Sequence, residues 1–175
     1  MYMDQKEYID MCVMKSCKVS FILNPNNTWD SFDPTLNSII KTGTWNEVKF
    51  LNNDGTALNE KIFQIVPTQA GGVYVFVIKG GIVPNSHEYI MYIGRVQFTP
   101  YQNLRKRFRE YYTDNRPFIT QMRMMWGGNL YIRFLPLTDN DIIKKLETEL
   151  IRTIIPPFND DFPEAIRQPV KAAFR

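Results

Sequence analysis

A chain of 175 residues, with 21 basic and 18 acidic side chains, is long enough for one well-buried core and too short for two domains of ordinary size. Its apolar fraction of 44% excludes a disordered chain, and no apolar run approaches the roughly 18 residues that cross a bilayer. The first fifteen residues do not resemble a secretory signal, and two Cys with a single His offer no zinc quartet and suggest a reducing compartment. We therefore expect a cytoplasmic protein without membrane association.

The first third of the chain carries no chemical motif. Its pattern predicts four elements: a helix over residues 1–17, a strand over 18–23, a helix over 35–41 and a strand over 45–51. We interpret residues 1–66 as an N-terminal accessory region, residues 67–160 as the core and residues 161–175 as a C-terminal tail.

The core opens with two strands and a basic helix. Residues 72–79 are β-branched or aromatic at nearly every position, and residues 88–96 return antiparallel after a loop. Thr99 is the predicted N-cap of the helix, with Pro100 at the first helical position and Gln102 three residues after the cap. The helix then carries four cations: Arg105, Lys106, Arg107 and Arg109.

The rest of the core adds one strand and two helices. We expect a helix over residues 117–126, a strand over 130–135, and a helix from Thr138 or Asp139 to about residue 155. The predicted fold class is α/β (α+β), a small three-stranded antiparallel sheet flanked by helices, with an N-terminal extension.

The charge of the chain is unevenly distributed. Between Arg95 and Arg133 eight basic residues stand against two acidic ones, a local charge of +6, so the remainder carries about −3 against the net +3 of the chain. A basic surface beside aromatic residues is typical of proteins that bind a phosphate backbone. Without a motif, a solvated helix face is an equal alternative.

Two tripeptides on the paired strands supply that motif. Gly72-Val73-Tyr74 followed by Tyr92-Ile93-Gly94 resembles the signature of the GIY-YIG nucleases, and residues 103–107 are similar to the helix that follows it in that family. Glu147 and Asn159 are twelve residues apart and match the late glutamate and asparagine of the family. The resemblance covers about residues 68–160. The seventeen residues between Tyr74 and Tyr92 exceed the usual family spacing, which makes residues 80–88 an extended hairpin or lobe.

Glu147 stands out from the helix pattern alone. It falls near the centre of an apolar stripe, and Glu149 falls outside it; the stripe is formed by Ile143, Leu146, Leu150, Ile151 and Ile154. A carboxylate there needs a partner, either an arginine in a structural pair or a metal ion. The resemblance implies a divalent ion at Glu147. One carboxylate with waters and substrate phosphate suits Mg²⁺, with Mn²⁺ as the alternative.

The resemblance also assigns roles to the cations. Arg107 lies at the edge of the apolar stripe of its helix, and the resemblance makes it the catalytic arginine, since a guanidinium can bind two equatorial oxygens of a phosphoryl group. An arginine that only covers apolar surface with its stem is the alternative. We expect substrate phosphates to be bound by Arg95, which follows the second tripeptide, and by the other three helix cations, Arg105, Lys106 and Arg109.

Tyr74 and Tyr92 would by default be ordinary sheet aromatics. The resemblance implies that both hydroxyls point into one cleft. We expect Tyr74 to accept a proton from water and Tyr92 to position that water, with the reverse order open. Because a tyrosine of pKa about 10 is a poor base, we expect Arg95 and Arg107 to lower the pKa.

Two further residues take roles from the resemblance. It implies that Tyr111, one helical turn after Arg107, contacts the phosphate. It also implies that Asn159 holds the site by side-chain hydrogen bonds, although an asparagine after Pro-Pro also commonly caps a turn.

These expectations describe a Mg²⁺-dependent endonuclease. It would hydrolyse phosphodiester bonds of double-stranded DNA to 5′-phosphate and 3′-hydroxyl ends, as a restriction or defence enzyme and as a homodimer, since one site cuts one strand. A repair or mobile-element nuclease is the alternative within the class. A nucleic-acid-binding module without catalysis is the alternative outside it.

Overall fold

A computed structural model describes residues 32–81, 83 and 88–159. The helix predicted over residues 1–17, the strand predicted over 18–23, the tail over 161–175 and most of the 80–88 loop lie outside the described residues. The described elements, in chain order, are α1 (Pro34–Thr42), β1 (Asn46–Lys49), α2 (Lys61–Ile65), β2 (Gly71–Lys79), β3 (Glu88–Val96), α3 (Leu104–Thr113), α4 (Pro117–Trp126), a 3₁₀ turn (Gly127–Asn129), β4 (Leu130–Leu137) and α5 (Asn140–Ile154).

The sheet has four strands in the order β1-β4-β2-β3, and every neighbouring pair is antiparallel. The predicted α+β class is confirmed, and the predicted count of three strands is wrong. The additional strand, β1, falls within the strand predicted over residues 45–51, which we assigned to the accessory region and not to the core sheet: Asn46 pairs with Phe134 of β4, and Val48 is buried. A four-residue strand forms here because the edge of β4 offers it a pairing partner, and no local pattern reveals that partner.

β2 lies in the middle of the protein and is buried at every position except Lys79. Because successive side chains of a strand point to opposite faces, β2 contributes to two cores. Val73, Val75 and Val77 pack with α1 and α5 on one face. Tyr74 and Phe76 pack with α3 and α4 on the other.

The basic helix begins later than its sequence predicts. The structural N-cap is Asn103, whose side chain accepts a hydrogen bond of 2.9 Å from the backbone N–H of Lys106. Thr99 and Gln102 instead close a turn through two backbone hydrogen bonds, so the predicted cap at Thr99 is wrong. Asn103 is as good a cap as threonine, and the turn of residues 99–102 uses Pro100 outside the helix.

After the last helix, α5, the chain returns to the edge of the sheet. α5 begins at its Asp139 cap and ends at Ile155, whose φ of 52° lies in the left-handed region. The chain then follows the outer edge of β3, where the backbone N–H of Phe158 donates to the carbonyl of Met91. Within the described ranges, no helix is long and apolar enough to span a bilayer.

Candidate active site

Both glycines of the tripeptides are required by close packing. Gly72 has a φ of 151°, and a Cβ at this residue would collide with the carbonyl oxygen of Leu135. Gly94 pairs with Tyr74 across the sheet, and a Cβ there would lie 2.6 Å from the Tyr74 hydroxyl oxygen. The missing side chain of Gly94 therefore makes the space in which the Tyr74 ring lies.

Four of the predicted site residues form one cluster, which we call the tyrosine–arginine cluster: Tyr74, Tyr92, Arg107 and Tyr111. The hydroxyl oxygens of Tyr74 and Tyr111 are 2.8 Å apart, and the Tyr111 hydroxyl donates to that of Tyr92 at 3.3 Å. Arg107 donates from Nε to Tyr74 and from Nη2 to Tyr111, each at 3.4 Å. Three phenols and one guanidinium thus converge from β2, β3 and α3.

Burial decides how these phenols ionise. Tyr74 is fully buried, and loss of solvation together with the neighbouring Tyr92 raises its pKa, although Arg107 acts in the opposite direction. Burial and neighbouring hydroxyls also raise the pKa of Tyr92 and of Tyr111. Arg107 does act to lower the pKa of Tyr74 and Tyr111, but the expected net lowering is wrong, because desolvation outweighs the attraction of the guanidinium.

An acidic residue that sequence reasoning missed orients Arg107. Glu110, one turn along α3, accepts a hydrogen bond from Nη1 of Arg107 at 3.1 Å. Its carboxylate also accepts from the side chain of Gln102 at 3.0 and 3.2 Å. The position of Glu110, three residues after Arg107 on a helix, was a usable signal for this pair.

Glu147 is paired with Arg95. The Nε of Arg95 lies 2.5 Å from Oε2 of Glu147, and the two side chains are 32% and 20% exposed. Arg95 pairs with Val73 in the sheet, so its side chain lies on the α5 face. The carbonyl oxygen of Arg95 accepts a hydrogen bond from the Tyr74 hydroxyl at 3.4 Å and links the ion pair to the tyrosine–arginine cluster. The arginine partner is the structural-pair alternative that the sequence left open.

Glu147 is the carboxylate at which the resemblance implies a divalent ion. In the part of the chain that the structure describes, no group of three or more His, Cys, Asp or Glu side chains could hold a metal. Glu147 is a partly exposed carboxylate paired with an arginine, and such a hard oxygen donor fits Mg²⁺ that keeps waters and takes substrate phosphate oxygens. Arg95 is the cation with which the ion would compete.

The other cations of α3 lie away from the cluster. Arg105 donates from Nε to the carbonyl of Val66 at 2.7 Å, and Lys106 donates to the carbonyl of Tyr101 at 2.8 Å. The guanidinium of Arg109 lies 5.7 Å from the ring centre of Phe63. These three predicted substrate contacts face α2 and the turn before the helix.

Asn159 supports the outer strand. Its side chain accepts a hydrogen bond from the backbone N–H of Ile93 and donates to the carbonyl of the same residue, both at 2.8 Å. The side chain is buried, and Ile93 directly follows Tyr92. Asn159 therefore fixes the backbone beside one of the cluster tyrosines.

Arg116 is a second arginine beside the cluster, and the sequence patterns did not identify it as a site residue. The guanidinium carbon of Arg116 lies 5.6 Å from the ring centre of Tyr111, against 4.7 Å for that of Arg107. Arg116 sits in the break between α3 and α4, and no sequence signal shows where such a break directs a side chain.

The chain matches no protein-family model, no curated protein and no solved structure. Its likeness to the GIY-YIG nucleases rests on the tripeptides, the helix and the late motif.

Proposed function

We propose that the chain is a metal-dependent endonuclease of the GIY-YIG type that hydrolyses phosphodiester bonds of double-stranded DNA. The observation that carries the proposal is the tyrosine–arginine cluster, joined by Arg95 to Glu147. A planar guanidinium held by phenol hydroxyls is a suitable donor to the oxygens of a phosphoryl group, on which charge develops during transfer.

The chain's own residues account for most of the chemistry. Tyr92 is only partly buried, whereas Tyr74 is completely buried, so Tyr92 is the better candidate to meet a water molecule. Its phenolate takes a proton from water, and the water oxygen attacks phosphorus in line. The bond from phosphorus to the 3′ oxygen then breaks, that oxygen takes a proton from solvent, and a 5′-phosphate and a 3′-hydroxyl result.

Two groups act on the charge that develops in this step. Arg107 donates to the equatorial oxygens of the phosphate and stabilises the transition state. When bound at Glu147, Mg²⁺ or Mn²⁺ would supply Lewis-acid stabilisation of the leaving oxygen. Tyr111 and Tyr74 hold the guanidinium between them through hydrogen bonds.

The proposal is tested by plasmid cleavage with the wild type, Glu147→Gln and Glu149→Gln. Glu149 lies on the same helix and pairs with Arg152, so it controls for loss of a helical glutamate. We expect cleavage in Mg²⁺ or Mn²⁺ that EDTA abolishes, that Glu147→Gln loses and that Glu149→Gln keeps. Cleavage that persists unchanged in Glu147→Gln would overturn the assigned metal ligand.

A second candidate is a DNA-binding module without catalysis. It is favoured by the raised pKa of all three cluster tyrosines and by the arginine already bound to Glu147. DNA binding without cleavage in either metal would support it. Within the catalytic reading we favour a restriction or defence role over repair or mobile-element activity, and sequencing of cut ends from a long natural DNA distinguishes a recognition site from random cleavage.

A further inference from the structure

Arg116 is a second guanidinium on the tyrosine–arginine cluster. It lies 5.6 Å from the ring centre of Tyr111 and Arg107 lies 4.7 Å from it, so two cations contact one ring. The charge of Arg116 also acts on the hydroxyls of Tyr92 and Tyr111. A pair of arginines beside one phenol is more positive charge than the packing of a tyrosine requires.

A partly buried carboxylate holds this arginine in place. Asp114 accepts from Nε of Arg116 at 2.9 and 3.1 Å and from Nη2 at 2.7 Å. The Asp114 side chain is 15% exposed, whereas that of Arg116 is 48% exposed. Asp114 therefore anchors one edge of the guanidinium, and the half-exposed group also hydrogen-bonds to Tyr111 and Tyr92 at the surface of the cluster.

Arg107 is more enclosed than Arg116. Its three guanidinium nitrogens donate to Tyr74, Glu110 and Tyr111, and its side chain is 29% exposed. An incoming anion meets the more exposed arginine first. The two cations can thus act at different stages on the same ligand.

We propose that Arg116 binds a non-bridging oxygen of the scissile phosphate together with Arg107, and that it contributes ground-state affinity whereas Arg107 contributes transition-state stabilisation. This assignment rests on the proposed nuclease function. The ligand class is a phosphodiester, because two guanidiniums offer the parallel donors that match phosphate oxygens. Interactions that bind substrate and transition state equally change KM and leave kcat nearly unchanged.

The structural alternative is that Arg116 only neutralises Asp114 and orders the break between α3 and α4. Asp114→Ala separates the two roles, because it removes the ion pair and keeps the guanidinium. Arg123→Ala is the second control, since Arg123 also contacts Asp114, by donating from Nη2 to its carbonyl oxygen at 3.0 Å.

The experiment measures cleavage kinetics in Mg²⁺ and binding of a labelled fragment of a cleaved plasmid in EDTA. For Arg116→Ala and Arg116→Gln we expect KM and the Kd for DNA to rise about tenfold and kcat to change less than about threefold. The slope of log affinity against log salt concentration should fall in magnitude by about one. Arg116→Lys should keep the salt slope and recover part of the affinity. Arg123→Ala should bind nearly as the wild type does, and Asp114→Ala should lose clearly less affinity than Arg116→Ala, because the guanidinium is kept although its anchor is lost.

Two results would overturn the assignment while the wild type still cleaves DNA. One is an unchanged Kd in all three Arg116 variants. The other is equal losses in Asp114→Ala and Arg116→Ala. Absence of metal-dependent cleavage by the wild type would instead reject the proposed function, and the role of Arg116 with it.

Discussion

Tyr92 is the residue whose titration should be visible in the reaction. If its phenolate is the base and its pKa is raised by burial, the active form is a small fraction at neutral pH. That fraction grows about tenfold with each pH unit, so we predict that log kcat rises with a slope near one from about pH 6 to pH 9 without a plateau. Single-turnover rates across this range are the measurement.

Two variants locate the base. Tyr92→Phe should lower the rate by about a hundredfold or more and flatten the pH profile. Tyr74→Phe removes a fully buried hydroxyl and should lower the rate less, with the slope retained. A slope that survives in Tyr92→Phe and disappears in Tyr74→Phe would show that the original expectation, with Tyr74 as the base, is right.

Arg95 should limit access of the metal to Glu147. Because its guanidinium contacts the carboxylate directly, an ion at Glu147 has to compete with it. We predict that Arg95→Gln binds Mn²⁺ several-fold more tightly than the wild type in the absence of DNA, while its affinity for DNA falls. Electron paramagnetic resonance of free Mn²⁺ measures the first effect. Unchanged or weaker Mn²⁺ binding would contradict competition by Arg95.

Among single residues, the sequence predicted which side chains of the tyrosine–arginine cluster lie together better than it predicted how the tyrosines ionise. The helical stripe required a partner for Glu147, but the identity of Arg95 depends on the register between β2 and β3. The direction of the tyrosine pKa shifts could not be predicted either. It depends on burial of the phenols by α3, which no sequence spacing determines.

At the scale of elements, the edge of β3 is held by the segment that follows α5. The buried side chain of Asn159 hydrogen-bonds to both the backbone N–H and the backbone carbonyl of Ile93. Its replacement by alanine leaves a donor and an acceptor without partners, so we predict that Asn159→Ala lowers the free energy of unfolding by about 1–3 kcal/mol. Urea denaturation is the measurement.

Asn46→Ala is the matched control for this prediction. The Asn46 side chain makes one exposed hydrogen bond, to the carbonyl of Thr44, and its loss should change stability by less than about 0.5 kcal/mol. A loss in Asn159→Ala no larger than that of the control would contradict the supporting role of Asn159.

The elements themselves show what local patterns can predict. α4 and α5 begin and end close to their predicted bounds because proline and an aspartate cap mark them directly. The start of α3 was wrong because two good caps, Thr99 and Asn103, lie within five residues. Leu104 donates its backbone N–H to Ala70, and this distant contact favours the later start.

For the whole molecule, the proposed double-strand cleavage implies two copies of the site. Notable exposed apolar side chains of the described residues include Phe63 and Ile65 on α2, within the accessory region. We propose a symmetric homodimer that uses this region, and we predict a mass near twice 20.6 kDa by light scattering. Ile65→Glu should shift the protein towards monomer. A wild type that stays monomeric at high concentration would contradict the dimer and favour single-strand nicking.

Single-turnover cleavage by Arg107→Ala, with DNA binding measured in parallel, tests the catalytic role of the tyrosine–arginine cluster. Arg109→Ala is the control, because Arg109 carries the same charge on the same helix but lies against Phe63. We predict that Arg107→Ala slows cleavage by about a thousandfold and changes the Kd for DNA little. Arg109→Ala should weaken DNA binding, lower the slope of log affinity against log salt concentration by about one, and leave the cleavage rate nearly unchanged. Equal loss of binding in both variants, with no separate loss of rate in Arg107→Ala, would contradict a catalytic tyrosine–arginine cluster.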